Sequence, residues 1–158
     1  MKRIPKCRLM LAAALLFAAA ARPALSQEGA GNRPKTAEAA SRRRIGVLCP
    51  LEGRFATLGE SFLRGASVAL KEARLKGIAN VDLVVGDTRG NPLECRSVTE
   101  RLISEERVDA LLGEVLSSST IAAAQVAELS KTVLLSPVAT EEGIGEVGGW
   151  VFQTTTSS

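Results

Sequence analysis

Residues 81–120 read VDLVVGDTRGNPLECRSVTERLISEERVDALLGEVLSSST, and their order decides the fold. Val81-Asp82-Leu83-Val84-Val85 is short and rich in β-branched and apolar residues, the composition of a buried strand. Gly86 to Gly90 follows as a loop. Asn91 then opens a helix. Asn is a favoured N-cap, Pro92 suits the first turn, and Glu94 stands where it can reach back to the cap. Cys95, Val98, Leu102 and Ile103 supply the buried stripe of that helix, which runs to about Glu106. Val108 to Val115 is a second apolar run, and Ser117 to Thr120 supply caps for a further helix through Leu129. Strand, helix of ten or more residues and strand again make a βαβ unit, whose strands lie parallel.

The alternation continues in both directions. Ile45-Gly46-Val47-Leu48-Cys49-Pro50 is an apolar strand ended by proline. Gly59 to Lys76 follows, with Phe62, Ala66, Ala69, Leu70 and Ala73 at helical spacing. Thr132 to Ser136 is a further strand, stopped by Pro137, and Trp150 to Thr154 is a fifth. Strands apolar throughout, alternating with helices, predict an α/β fold built on a parallel sheet covered on both faces. Ligands of such sheets bind at the carboxyl ends of the strands, near a topological switch. The segments leaving those ends are Pro50 to Leu58, Asp87 to Asn91, Leu116 to Thr120 and Pro137 to Glu142.

The chain has 158 residues, 46% hydrophobic and 23% charged, with three Cys and neither His nor Tyr. That is globular composition. Without His, the commonest general base, the Ser-His and Cys-His nucleophile pairs and most catalytic zinc sites are gone. The net charge of +3 invites a nucleic-acid reading. However, Lys2, Arg3, Lys6, Arg8 and Arg22 all fall in the first 26 residues, which hold no acid. Without them fifteen Lys and Arg face seventeen Asp and Glu, so the rest of the chain carries about −2. Aromatic residues are too few among the basic ones for a base-stacking platform, so nucleic-acid binding is not expected.

The first 26 residues have a basic start, an uncharged run from Leu9 to Ala21 and small residues at Ala24-Leu25-Ser26, the plan of a secretory signal peptide. The apolar run is 13 residues long, short of the ~20 that span a bilayer. A periplasmic or secreted mature chain with no membrane span is the expectation. Residues 27–44 carry no large apolar residue and read as a flexible linker, and Arg42-Arg43-Arg44 reads as a solvated strand entry. Cys49 and Cys95 could pair in an oxidising compartment, or be two small buried residues, the favoured reading. No C-x-x-C and no His accompany them, so neither a metal nor another cofactor is expected.

Gly113 to Thr120 is the most informative segment for function. Four hydroxyls, Ser117, Ser118, Ser119 and Thr120, fall where a strand gives way to a helix N-terminus, which presents unpaired N–H groups to a carboxylate or other anion. Capping alone would need one of them, so ligand contact and capping both stand. Pro137 frees the groups of Val138, Ala139 and Thr140 from a ladder, either for a ligand or simply to end the strand. Gly143-Ile144-Gly145-Glu146-Val147-Gly148 matches G-x-G-x-x-G literally but leads into a strand, so it reads as a loop. No phosphate-binding loop, nucleophile elbow or calcium loop occurs, and an enzyme is not expected.

In sequence order, Ile45 to Gly53, Leu58-Gly59, Leu63 to Ala66, Val84 to Asp87, Asn91-Pro92, Val108 to Gly113, Leu116 to Thr120, Ser136 to Thr140 and Val151 to Thr154 resemble the periplasmic leucine/isoleucine/valine-binding protein family. These are type I periplasmic binding proteins of ABC transporters. The resemblance implies a doubly wound parallel sheet forming one lobe, here incomplete, over residues 45–158. It implies that Ser117 contacts a ligand α-carboxylate, that Val138 offers main-chain groups and that Thr140 bonds the same polar end. Leu58 falls where the family places an aromatic or apolar residue against the ligand. Leu116 stands where the family prototype has a cysteine, so that disulfide is absent.

Members of the family have two lobes, and this chain holds most of one. The expectation is therefore a fragment or truncated product with weak or no binding and an exposed sheet edge. The implied function is a secreted solute-binding protein that takes a small polar ligand, an amino acid or relative, and serves an ABC permease. The alternative is a ligand-sensing regulator or cell-wall-synthase activator on the same fold.

Overall fold

The computed structural model describes residues 42–78 and 80–155. Among them, strands β1 (Arg43–Cys49), β2 (Val81–Asp87), β3 (Ala110–Gly113), β4 (Val133–Ser136) and β5 (Val151–Gln153) form one sheet in the order β2-β1-β3-β4-β5. Every neighbouring pair is parallel. Helices α1 (Ala56–Leu75), α2 (Pro92–Ser104) and α3 (Ser117–Leu129) connect them, with a 3-10 turn at Gly53–Phe55 before α1. The chain runs from β1 outward to β2, returns through α2 to β3, and proceeds the other way. The strand order therefore reverses between β1 and β3, which is the topological switch point.

The core lies between the sheet and the side-by-side pair α2 and α3. Leu48, Leu111 and Leu134 from the strands meet Cys95, Val98 and Leu102 of α2 and Ala123, Ala124 and Ala127 of α3. Each fully buried leucine contributes roughly 1.5–3 kcal/mol. Two glycines let α2 lie this close. A Cβ on Gly46 would stand 3.1 Å from the Leu102 side chain of α2 as well as 2.9 Å from that of Leu111 on β3, and one on Gly86 would stand 2.4 Å from that of Val98 on α2. The other face is covered more thinly. Gly59 is the one buried residue of α1, a cavity of about 240 Å³ lies between α1 and residues such as Ile45, Leu83 and Leu112, and Phe152 on β5 is half exposed.

The parallel α/β architecture is the expected one, with differences at element ends. β2 runs through Gly86 and Asp87, which pair with Leu48 and Cys49, where a loop was expected. Glycine breaks no strand there because its missing side chain makes room for α2. Helix α1 begins at Ala56, three residues ahead of the expected start, and β3 is four residues long. The signal peptide and most of the linker, through residue 41, lie outside the described residues, and β1 starts at Arg43, inside the expected linker. Arg42, Arg43 and Arg44 enter the sheet paired with Asp82, Asp109 and Glu106 at 3.0, 2.8 and 2.5 Å. Cys49 and Cys95 are free and buried.

Candidate functional site

Three loops converge at the carboxyl edge of the switch point. After β1, Leu51 N–H donates to Asp87 Oδ1 (2.7 Å), and the same oxygen accepts from Arg89 N–H (2.9 Å). Thr88 N–H donates to the Cys49 carbonyl (3.1 Å), so the exits of β1 and β2 are bound to each other. Across the edge, an exposed Arg89–Glu52 pair at 3.4 Å links the same two loops. Gly90 brings the loop after β2 against the ring of Phe55 and the side chain of Leu116, closing the triangle with the exit of β3.

The start of α3 forms the floor of this edge. Its N-cap is Leu116, an apolar residue, and no side chain caps the helix. Leu116 N–H donates to Glu114 Oε2 (2.6 Å), and the helical ladder begins with Thr120 N–H donating to the Leu116 carbonyl (2.9 Å). Among the described residues the amides of Ser117, Ser118 and Ser119 find no acceptor, and no acid lies in the first turn. Three free amides at the positive end of a 13-residue helix make an anion-accepting surface. The expectation that the hydroxyls cap α3 is therefore corrected. They stand inside the helix, one to four residues past the cap position, where a side chain can only reach backward.

The eight expected site residues divide by burial. Ser117 is half-buried and Ser118 exposed, both on the first turn of α3. Thr140 is exposed and Val138 is 39% exposed, on the loop leaving β4, the neighbour of β3. Leu58, 45% exposed, lies on the first turn of α1, which starts beside the exit of β1. The other three point inward. Thr120 Oγ1 donates to the Glu114 carbonyl (3.1 Å) or the Leu116 carbonyl (2.9 Å). Ser119 has its hydroxyl buried without a partner, and its carbonyl accepts from Cys95 Sγ (3.3 Å). Ala139 is buried, and its carbonyl accepts from Gln153 Nε2 (2.7 Å) and Thr155 Oγ1 (2.5 Å). A second buried hydroxyl without a partner, Ser136, ends β4.

Glu114 was not singled out in the sequence, although the signal was there: one acid inside an otherwise apolar run, immediately before the serines. Its side chain is fully buried at the exit of β3. Oε1 lies 2.5 Å from Thr88 Oγ1, and Oε2 holds the Leu116 amide. Burial pushes its carboxyl above the ordinary carboxylate range, against the Thr88 hydroxyl and the amides of Leu116 and Val115. The thiols of Cys49 and Cys95 are pushed up to about 12, by burial first and by Glu114 second. Among the described residues no group of three or more His, Cys, Asp or Glu side chains is placed to hold a metal, and no helix is long and apolar enough to cross a membrane.

Comparison with known proteins agrees with this architecture. Residues 43–158 match the family described as periplasmic binding protein. The chain is 33% identical over 107 residues to an amino acid binding protein of Pseudomonas aeruginosa, covering 66% of this chain and 29% of that protein. It is 35% identical over 104 residues to Leu/Ile/Val-binding protein homolog 7 of Brucella abortus, covering 64% of this chain and 25% of that one. In three dimensions it superposes with a TM-score of 0.69 and 28% identity on the branched-chain amino acid transporter substrate binding protein LivJ from Streptococcus pneumoniae in complex with isoleucine. That match covers 73% of this chain and 34% of LivJ. The chain thus spans less than a third of the length of these two curated relatives, and its sheet has the fold of part of a type I lobe.

Proposed function

The chain belongs to the periplasmic binding protein family, and on that premise we propose that it binds a small carboxylate-bearing solute, of the amino-acid class, at the carboxyl edge of its sheet. The observation that carries this reading is the open start of α3 at the switch point, with three free amides beside accessible hydroxyls. The amides of Ser117, Ser118 and Ser119 and the hydroxyls of Ser117 and Ser118 take the carboxylate. Thr140 adds a hydroxyl from the next strand exit, and Val138 adds main-chain groups. Leu58 gives the solute an apolar wall. Ser119, Thr120 and Ala139, being buried, serve by holding these turns in place. Binding is non-covalent throughout.

One sheet edge encloses a solute from one side only. The opposing wall is assigned to sequence of the kind that the longer relatives possess beyond the matched portion. With that wall the protein delivers its solute to an ABC permease, and residues 1–26 direct its export to the periplasm. Titration calorimetry of the full chain with L-leucine, L-isoleucine and the corresponding amides tests the polar half of the proposal. Heat with the acids and none with leucinamide is the expected result. The one-sided edge makes the binding weak, so the titration runs to the highest soluble solute concentration; equal binding of acid and amide, or no binding of either at that concentration, overturns it.

A further inference from the structure

A buried acid lies directly beneath the anion-accepting turn, with no cation paired to it among the described residues. We propose that Glu114 is a positioning residue that keeps the α3 terminus receptive to a carboxylate while it holds its own proton, and closes that terminus to anions when it ionises. This inference rests on the reading of that terminus as the solute site.

The geometry makes Glu114 a junction. One carboxyl oxygen meets the loop after β2 through Thr88, the other holds the Leu116 amide at the start of α3, and the Glu114 carbonyl accepts from Thr120 inside the helix. The orientation of the first turn of α3 relative to the β2 exit therefore passes through this one side chain. The titratable and charged groups around it are few. From β1 comes Cys49 and from α2 Cys95, both neutral thiols over the whole working range. From the β2 exit comes Asp87, whose Oδ1 is taken by the amides of Leu51 and Arg89. The Arg89 side chain is turned to Glu52 at the surface. Asp87 and Glu114 together would place two negative charges at the edge where a third must bind.

When Glu114 is protonated, its Oε1–H donates to Thr88 Oγ1 and stays on the carboxyl, while Oε2 keeps the Leu116 amide. The edge then carries one charge fewer, and the free amides of Ser117 to Ser119 have no competing anion. When Glu114 is ionised, its carboxylate occupies the positive end of the helix itself and repels an incoming carboxylate. Burial favours the protonated form, so the change falls above the usual carboxylate range. Linkage fixes the sign: a solute carboxylate binds more tightly to the protonated form, so affinity falls as pH rises through the titration of Glu114.

Sodium acetate, a bare carboxylate, is the probe for the test. It is titrated into the 15N-labelled full chain at pH 5 and pH 8, reading the amide shifts of Ser117 to Ser119. The expected result is acetate affinity about tenfold weaker at pH 8, a difference that Glu114→Gln removes because the amide keeps the shape and loses the charge. Thr88→Val, which removes a hydroxyl that favours the ionised form, moves the midpoint upward. Equal affinity at both pH values in the wild type overturns the role of Glu114 and leaves the solute site standing. No response of these amides to acetate at either pH, in wild type or in a folded Glu114→Gln variant, overturns both.

Discussion

Helices α2 and α3 have the same length, leave the same edge of the same sheet and pack side by side on one face, yet they begin in opposite ways. At α2, the Asn91 side chain accepts from the amides of Leu93 (2.8 Å) and Glu94 (3.3 Å), Pro92 removes a donor that would need a partner, and Glu94 adds negative charge to the first turn. That terminus is finished by its own sequence. At α3 an apolar residue occupies the cap position, the first turn holds no acid, and three amides stay free. A start that departs from the usual capping chemistry, at the switch point and beside a buried acid, is what the proposed solute site rests on, because departures from local rules in such folds collect where ligands bind.

The most damaging way to break this contrast is at the strand exit that aims α3. Gly113 has φ +114°, and a Cβ there would stand 2.2 Å from the Leu48 carbonyl oxygen. Gly113→Ala is expected to cost about 3 kcal/mol or more of stability, read from urea unfolding. Ser117→Ala leaves folding intact and weakens solute binding by about 1–3 kcal/mol in calorimetry. An unchanged affinity removes Ser117 from the site. The mirror experiment is Asn91→Ala, which lowers stability by about 1 kcal/mol in thermal melts and leaves solute affinity where it was. The smallest effect comes from giving α3 the start that α2 has. Leu116→Asn introduces a side-chain cap and is expected to weaken acetate binding by about 0.5–1 kcal/mol, because the cap competes for the same amides. Tighter binding in that variant would undo the contrast altogether.

The parallel sheet was legible because its strands are apolar on both faces, which only a covered parallel sheet requires, and because Asn91-Pro92 announces α2 without ambiguity. The start of α3 was legible only in part. Four consecutive hydroxyls look like caps in one dimension, and the phase of the helix decides that they stand past the cap position instead. The same phase turns Ser119 and Thr120 inward and leaves Ser117 and Ser118 accessible, a division that residue type cannot express. The extension of β2 through Gly86 was hidden because glycine signals a break unless a helix is known to press on it. Glu114 was hidden for a related reason: its importance comes from Thr88, twenty-six positions away, which the fold alone brings to its side chain.

The run of three arginines entering the sheet has a consequence for assembly. Arg42 reaches an acid on β2, while Arg43 and Arg44 reach acids in the segment that leads into β3, so the first strand is pinned on both flanks before its apolar part begins. Sliding that strand by one position would break these matches together and would bring Ile45 or Val47 under α2 at the spot that admits only Gly46. Charge at the entry and the lack of a side chain two residues later thus act as a lock and its key, selecting a single alignment for a strand whose oily interior would accept several.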